Sequence, residues 1–225
     1  LLYVQDKGGD ENFLLYRVDI QSGAETCLTP FENTRVLITG TSVTHRDRIL
    51  VGLNNRDPQW HDVHELELAS GKLTERMRGD GFAGFLADDS LALRIAIQPN
   101  ADGGMNFHRM SGTKVEEESF AATTLDDALT TQPVGYTTDG QTLYWLDSRG
   151  RDTAALVAEV AGERRVIAED ARADIGGILA HPLTGEVQAY AVEYLTKDWI
   201  GLDPVIGATL ASLKKRLGGD VEVTS

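Results

Sequence analysis

A chain of 225 residues with 41% hydrophobic side chains holds enough apolar material for a packed core and does not have the composition of a disordered segment. Lys and Arg number 21 against 35 Asp and Glu, a formal charge of −14. That balance disfavours nucleic acid and anionic membrane as partners and favours cationic groups such as a peptide amine, unless the acidity serves solubility alone.

A single cysteine, Cys27, allows no internal disulfide and leaves the redox compartment open. No run approaches the roughly 18 apolar residues of a membrane span. The chain opens at Leu1, without Met and already inside an apolar run. Its natural start, and any export signal there, is therefore expected upstream.

From that point the same marks recur in order. Val18-Asp19-Ile20-Gln21-Ser22-Gly23 reads as an alternating strand closed by a small-residue turn. Cys27, in the alternating Thr26-Cys27-Leu28, reads as a small packed side chain rather than a nucleophile. Asp47-Arg48-Ile49-Leu50-Val51 is a polar turn entering an apolar run; a charged loop over 54–60 follows, and Leu66-Glu67-Leu68-Ala69-Ser70-Gly71 closes the set. The pattern returns at Asp89 to Leu93 with His108 to Gly112, and at Asp139 to Trp145 with Ala158 to Gly162. Thr184 to Ala189 opens a fifth set. The closing residues Gly23, Gly71, Gly112 and Gly162 recur at intervals of 41 to 50 residues. That interval suits one four-stranded antiparallel blade, and period-two alternation is what half-buried strands require.

Asp203-Pro204 followed by Ile206, Leu210, Leu213 and Leu217 breaks the alternation. Their spacing marks one face of a helix over 204–217. Asp203 suits the N-cap, Pro204 the first turn, Lys214, Lys215 and Arg216 the last turn, and Gly218 the stop. The fold class is all-β: a β-propeller of about four to five four-stranded blades, partial, with one helix inserted between strands of the fifth unit. The first unit lacks its innermost strand, and Asp220 to Ser225 reads as a strand cut short. Open sheet edges at both ends predict self-association.

Several chemical motifs dissolve on inspection. Gly79-Asp80-Gly81-Phe82-Ala83-Gly84 spells G-x-G-x-x-G, but a dinucleotide site needs a helix next. Here Phe85-Leu86-Ala87-Asp88-Asp89 leads to another strand, so the segment reads as a connection between blades. His61 and His64 are three apart, on opposite faces of a strand, and zinc takes three or four ligands. Asp6, Asp10 and Glu11 lack calcium-loop spacing. We therefore expect no catalytic residue, metal or cofactor.

What remains is a rim. In antiparallel blades every second-to-third strand loop emerges at one end, which groups the loops 8–12, 54–60, 148–152 and 195–199. They carry Asp10, Glu11, Arg56, Asp57, Trp60, Arg149, Arg151, Asp152, Lys197, Asp198 and Trp199, a mixture suited to interfaces and terminus clamps. The plainer reading is a set of solvated hairpins.

Three stretches carry a family resemblance: Tyr3-Val4-Gln5-Asp6-Lys7-Gly8-Gly9-Asp10-Glu11-Asn12-Phe13, continued by Leu15 to Asp19 and Leu28-Thr29-Pro30-Phe31; Asn54-Asn55-Arg56-Asp57-Pro58; and Ser148-Arg149-Gly150-Arg151-Asp152-Thr153-Ala154-Ala155-Leu156. Together they resemble the N-terminal propeller of the prolyl oligopeptidase family of serine peptidases, in its bacterial acylaminoacyl-peptidase-like and dipeptidyl-aminopeptidase-like members. The likeness runs along nearly the whole chain, more loosely around residues 80–130. It implies a single propeller fragment over 1–225 that caps the active site of a C-terminal α/β-hydrolase domain, itself not present here, and restricts entry to short peptides. It leaves the compartment open between bacterial cytoplasm and periplasm. No Gly-x-Ser-x-Gly elbow occurs in this chain, so the catalytic serine would lie elsewhere. The other reading is a stand-alone propeller that binds proteins or acts as a scaffold, like the periplasmic propellers of envelope complexes.

Overall fold

The computed structural model describes Leu1–Val223 and is a β-propeller of five antiparallel sheets. The chain divides into two compact units, Leu1–Asn100 with Asn106–Ala122, and Ala101–Met105 with Thr123–Ser225.

The first unit holds three blades. Blade one is β1 (Leu2–Gln5), β2 (Leu14–Val18) and β3 (Glu25–Cys27). Blade two is β4 (Val36–Gly40), β5 (Arg48–Asp57), β6 (Trp60–Glu67) and β7 (Leu73–Met77). Blade three is β8 (Gly84–Ala87), β9 (Leu93–Pro99), β10 (Met105–Ser111) and β11 (Lys114–Ala122). Within each sheet the strands pair in chain order. Alternation decides which side chains are buried. Leu15 and Leu28 of blade one meet Val36, Ile49, Val51 and Leu66 of blade two in one cluster. The opposite face of blade two gives Leu50 and Val63 to a second cluster, with Leu93, Ala96 and Met110 of blade three. Burying one such side chain stabilises by about 1.5–3 kcal/mol, so the cores lie between blades rather than within them.

The second unit holds blade four, β12 (Gln132–Tyr136), β13 (Thr142–Asp147), β14 (Ala155–Val160) and β15 (Glu163–Ala168), and blade five, β16 (Ile175–Ala180), β17 (Val187–Glu193) and β18 (Lys197–Gly201). Leu146 and Leu156 pack against Ile175 and Val192 between these two. The apolar runs picked out from sequence at residues 48, 90, 141 and 186 enter the second strand of each blade. The innermost strands β4, β8, β12 and β16 precede them. Blade one has no such strand, as its composition implied. The Gly79–Gly84 segment joins β7 to β8, a strand and not a helix.

Helix α1 (Pro204–Leu217) has the predicted bounds. Asp203 accepts from the Val205 and Ile206 amides at 2.8 and 2.9 Å, and Gly218 ends the helix at φ 69°. Leu210 is buried, whereas Leu213 and Leu217 are exposed. One expectation needs correction: among the described residues no strand follows the helix, so it does not lie between strands of the fifth unit. It follows β18 directly, in the chain position where blades two to four have their fourth strand, and packs on β18. The approach is close, since a Cβ on Gly201 would lie 2.3 Å from the Gly207 Cα. Asp220–Val223 is not a strand; the rest of that expected strand, residues 224–225, lies outside the described residues.

Candidate functional site

In each blade the second-to-third strand loop and the connection that follows the fourth strand lie at the same end. A recurrent polar clamp ties the two together. In blade one the Leu15 amide donates to Thr29 Oγ1 (2.9 Å). In blade three the Met105 amide donates to Thr123 Oγ1 (2.9 Å), and in blade four Ala154 to Asp174 Oδ1 (2.6 Å). In blade five the Lys197 amide donates to Asp220 Oδ2 (3.2 Å), so the segment after α1 supplies the clamp. Blade two reverses the direction: Gly79 donates its amide to Asp62 Oδ1 (2.8 Å). An unpaired amide at these bends would be costly, and one hydroxyl or carboxylate removes that cost.

The rim residues of the first unit are held mostly within their own hairpins, with Arg56 also reaching the connection after β7. Asp10 accepts from the Lys7 and Asn12 amides (3.2 and 3.1 Å). The Asn12 amide leads in holding its carboxyl below the ordinary value. Glu11 stands at φ 59° and donates its amide to Asp6. Asp57 accepts from the Gln59 amide (2.9 Å) and pairs with Trp60 across the β5–β6 turn. Arg56 reaches Asp62 through Nε (2.5 Å) and Nη2 (2.8 Å), and Asp80 through Nη2 (2.6 Å). Asp62 is only 2% exposed. The Arg56 guanidinium holds its carboxyl below the ordinary value despite burial, with help from the Gly79 amide. A Cβ on Gly79 would stand 2.3 Å from the His61 carbonyl oxygen, so only glycine reaches this carboxylate.

In the second unit the charges again find partners. Arg149 grips Asp147 with Nε (2.9 Å) and Nη2 (3.0 Å), and Arg164 reaches the same carboxylate at 2.9 Å. Burial works to raise the Asp147 carboxyl, but the two arginines outweigh it and hold it below its ordinary value. Beneath them the fully buried Trp145 donates its indole N–H to Glu159 (3.1 Å), and Arg164 lies over the ring at 5.0 Å. Arg151 pairs with Glu169 (2.6 Å), and Asp152 is exposed. Lys197 is held between Glu193 (3.1 Å) and Glu222 (2.8 Å). Asp198 pairs with Lys214, and the Trp199 indole donates to the Val221 carbonyl (2.9 Å).

The candidate residues therefore sit at hairpins as the topology required, but most of their charge is compensated inside their own blade. Their partners Asp62, Asp147, Glu159 and Arg164 escaped the sequence reading because alternation assigns strand charges to the solvent face. What the rim offers outward is different in kind: Tyr194 and Leu195, 57% and 88% exposed, project at the β17–β18 turn, with Arg172 over the Tyr194 ring at 5.4 Å. This arrangement suits recognition through hydrogen bonds and apolar contact. Among the described residues no group of three or more His, Cys, Asp or Glu side chains is placed to hold a metal ion, and no helix is long and apolar enough to cross a membrane.

No family model matches the chain. It is 47% identical to dipeptidyl aminopeptidase BIII of Pseudoxanthomonas mexicana over 228 residues, which take in 100% of this chain and 33% of that protein. It is 25% identical to dipeptidyl peptidase family member 6 of Caenorhabditis elegans over 201 residues, 81% of this chain and 27% of that one. The chain thus spans a third or less of the length of these relatives. Among solved structures, a prolyl endopeptidase matches with a TM-score of 0.55 at 15% identity, over 91% of this chain and 33% of its own. TolB of Acinetobacter baumannii matches with a TM-score of 0.57 at 15% identity, over 89% and 52%. At such identities these structures speak for the fold alone, while the aminopeptidase identity runs from end to end. The chain is a β-propeller that is similar, along its whole length, to a portion of a dipeptidyl aminopeptidase.

Proposed function

We propose that this propeller is the non-catalytic, substrate-gating part of a serine peptidase of the prolyl oligopeptidase family, and that the parent polypeptide hydrolyses short peptides. Residues 1–225 form a single propeller fragment in this reading, whose partner is a C-terminal α/β-hydrolase domain of the same chain. The observation that carries the proposal is the 47% identity to an aminopeptidase across the whole of this chain. No Gly-x-Ser-x-Gly elbow occurs in the sequence, so in this reading bond cleavage belongs to the hydrolase domain. The hairpins are consistent with the gating role: Arg56, Arg149 and Lys197 are each held by carboxylates, while Asp152, Tyr194 and Leu195 are exposed and open to contact.

The test compares residues 1–225 with the natural full-length polypeptide on chromogenic dipeptidyl and aminoacyl substrates. Turnover is expected from the full-length protein, abolished by a serine-directed inhibitor, and none from residues 1–225. Tyr194→Ala with Leu195→Ala should change the cleavage of longer peptides relative to dipeptidyl substrates. A full-length protein without peptidase activity would sink the proposal and favour a binding or scaffold propeller.

A further inference from the structure

Among the described residues, two buried side-chain nitrogens have no partner in the protein: Nε2 of His61 and Nε2 of His108. Both belong to the seam between blades two and three. β6 turns Val63 toward blade three, and His61 lies two positions earlier on the same strand. β10 turns Met110 toward blade two, and His108 lies two positions earlier on that strand. Period-two alternation therefore directs both side chains into this seam. Gly52 makes room for the first of them, since a Cβ there would stand 3.2 Å from the His61 Cβ.

The surroundings of each ring suit its neutral form. His108 is 6% exposed, and its Nδ1 lies 2.9 Å from the Glu116 carbonyl oxygen. A carbonyl only accepts, so the ring proton sits on Nδ1 and Nε2 is left bare. A further proton there would create a buried N–H without an acceptor and a buried charge, both costly. His61 is half-buried. Burial first, and the Arg35 guanidinium second, hold its imidazole below the ordinary value, against weaker pulls from the Arg35 backbone and the Asp62 carboxylate. The nearby carboxylates offer no relief. Glu65 in blade two is engaged by Arg48 and Arg76, and Asp88 in blade three by Arg94. Glu116, Glu117 and Glu118, beside His108 on β11, have exposed side chains.

We propose that the seam between blades two and three is a pH-sensitive device, which packs with both imidazoles neutral and loosens when either takes up a further proton. His61 is harder to protonate in the folded chain than in the unfolded one. Its contribution to stability is therefore complete above the ordinary histidine value of 6.5 and is lost as pH falls from there toward the lower folded value.

The test is hydrogen exchange on the natural full-length polypeptide between about pH 7.5 and about pH 5.5, the range in which histidine changes charge. Exchange at the imidazole C2 carbon, read by mass spectrometry, should give His61 a titration midpoint below that of free histidine. Amide exchange, corrected for the chemical rate, should accelerate in β6 and β10 by at least about 10-fold at the acid end, because the seam opens locally. β13 and β14, which carry no histidine, should show no such change. His61→Asn with His108→Asn keeps a donor for the Glu116 carbonyl and cannot charge, so it should abolish the acceleration. If the double variant does not fold, His61→Asn alone should reduce it, and the titration of the unmodified protein needs no variant. A His61 midpoint at or above that of free histidine would overturn the proposal. So would amide exchange in β6 and β10 that follows the chemical rate, or acceleration undiminished in the asparagine variants. Equal acceleration in β13 and β14 would overturn it too, because it would report general acid unfolding. None of these readouts depends on peptidase activity.

Discussion

Replacing Asp62 tests whether the rim is held by buried charge. This carboxylate accepts three hydrogen bonds, two from Arg56 and one from the Gly79 amide. Truncation in Asp62→Ala leaves the Gly79 N–H as a buried orphan donor, a loss of about 1–3 kcal/mol. Arg56 is a third exposed and keeps Asp80, so its lost pair adds no more than about 1 kcal/mol. The expected total is about 1–4 kcal/mol. Asp62→Asn retains an oxygen for Gly79 and should cost about half as much. Urea unfolding at pH 7 measures both, with the shift expected in the midpoint and not in the slope. The pH dependence has a definite sign. The folded carboxyl lies below the ordinary 3.8, so its contribution is complete above that value and fades as pH falls through the lower folded value. The gap between Asp62→Ala and the parent should therefore narrow below about pH 4. A difference at pH 7 smaller than about 0.5 kcal/mol, the range of ordinary surface changes, would refute the argument.

Gly79→Ala should destabilise by about 2 kcal/mol or more, because the added carbon meets a backbone carbonyl. Gly84→Ala, with nothing within 4 Å of the new carbon, should stay within about 0.5 kcal/mol by the same urea assay. Asp203→Ala should cost about 1 kcal/mol and reduce helical ellipticity, while Asp203→Asn retains most of the cap. Trp145→Phe removes the indole donor from Glu159 and should cost about 1–3 kcal/mol by thermal or urea unfolding. Glu159 keeps Arg164 at 3.8 Å, so a loss well above this range would show that the indole packing, not its hydrogen bond, dominates.

The sequence announced whatever depends on neighbours along the chain. The bounds of α1 were legible because a cap, a proline, an apolar spacing and a stop glycine lie within 16 consecutive positions, Asp203 to Gly218. The second and third strands were legible from polar turns, apolar runs and closing glycines, although β5 and β14 are buried on both faces. The innermost strands were harder to see: Ile-Gly-Gly-Ile-Leu-Ala has no polar alternation to betray its period. Asp62 and Glu159 lie at strand positions indistinguishable by spacing from solvated carboxylates. What turns them inward is Arg56 or Trp145 on the neighbouring strand, a pairing set by register rather than by local sequence. The clamps at Thr29, Thr123, Asp174 and Asp220 are single polar residues with no periodicity, visible only once five blades are superposed in chain order.

The helix that follows β18 alters what kind of sequence change blade five can absorb. A strand added to a ladder is tied to its neighbour at every second peptide, so inserting or deleting one residue reverses which side chains face the core. A helix is internally hydrogen-bonded and meets β18 chiefly where Gly207 rides on Gly201. Its far turns, from Leu213 onward, are mostly exposed and touch β18 through the Lys214–Asp198 pair. Length changes there would leave the three inner strands in register, provided that Asp220 still reaches the Lys197 amide. Across related proteins, gaps in alignment should gather between Leu213 and Gly219 and be scarce within β5–β6 or β13–β14, where an odd-numbered insertion would turn a buried face outward.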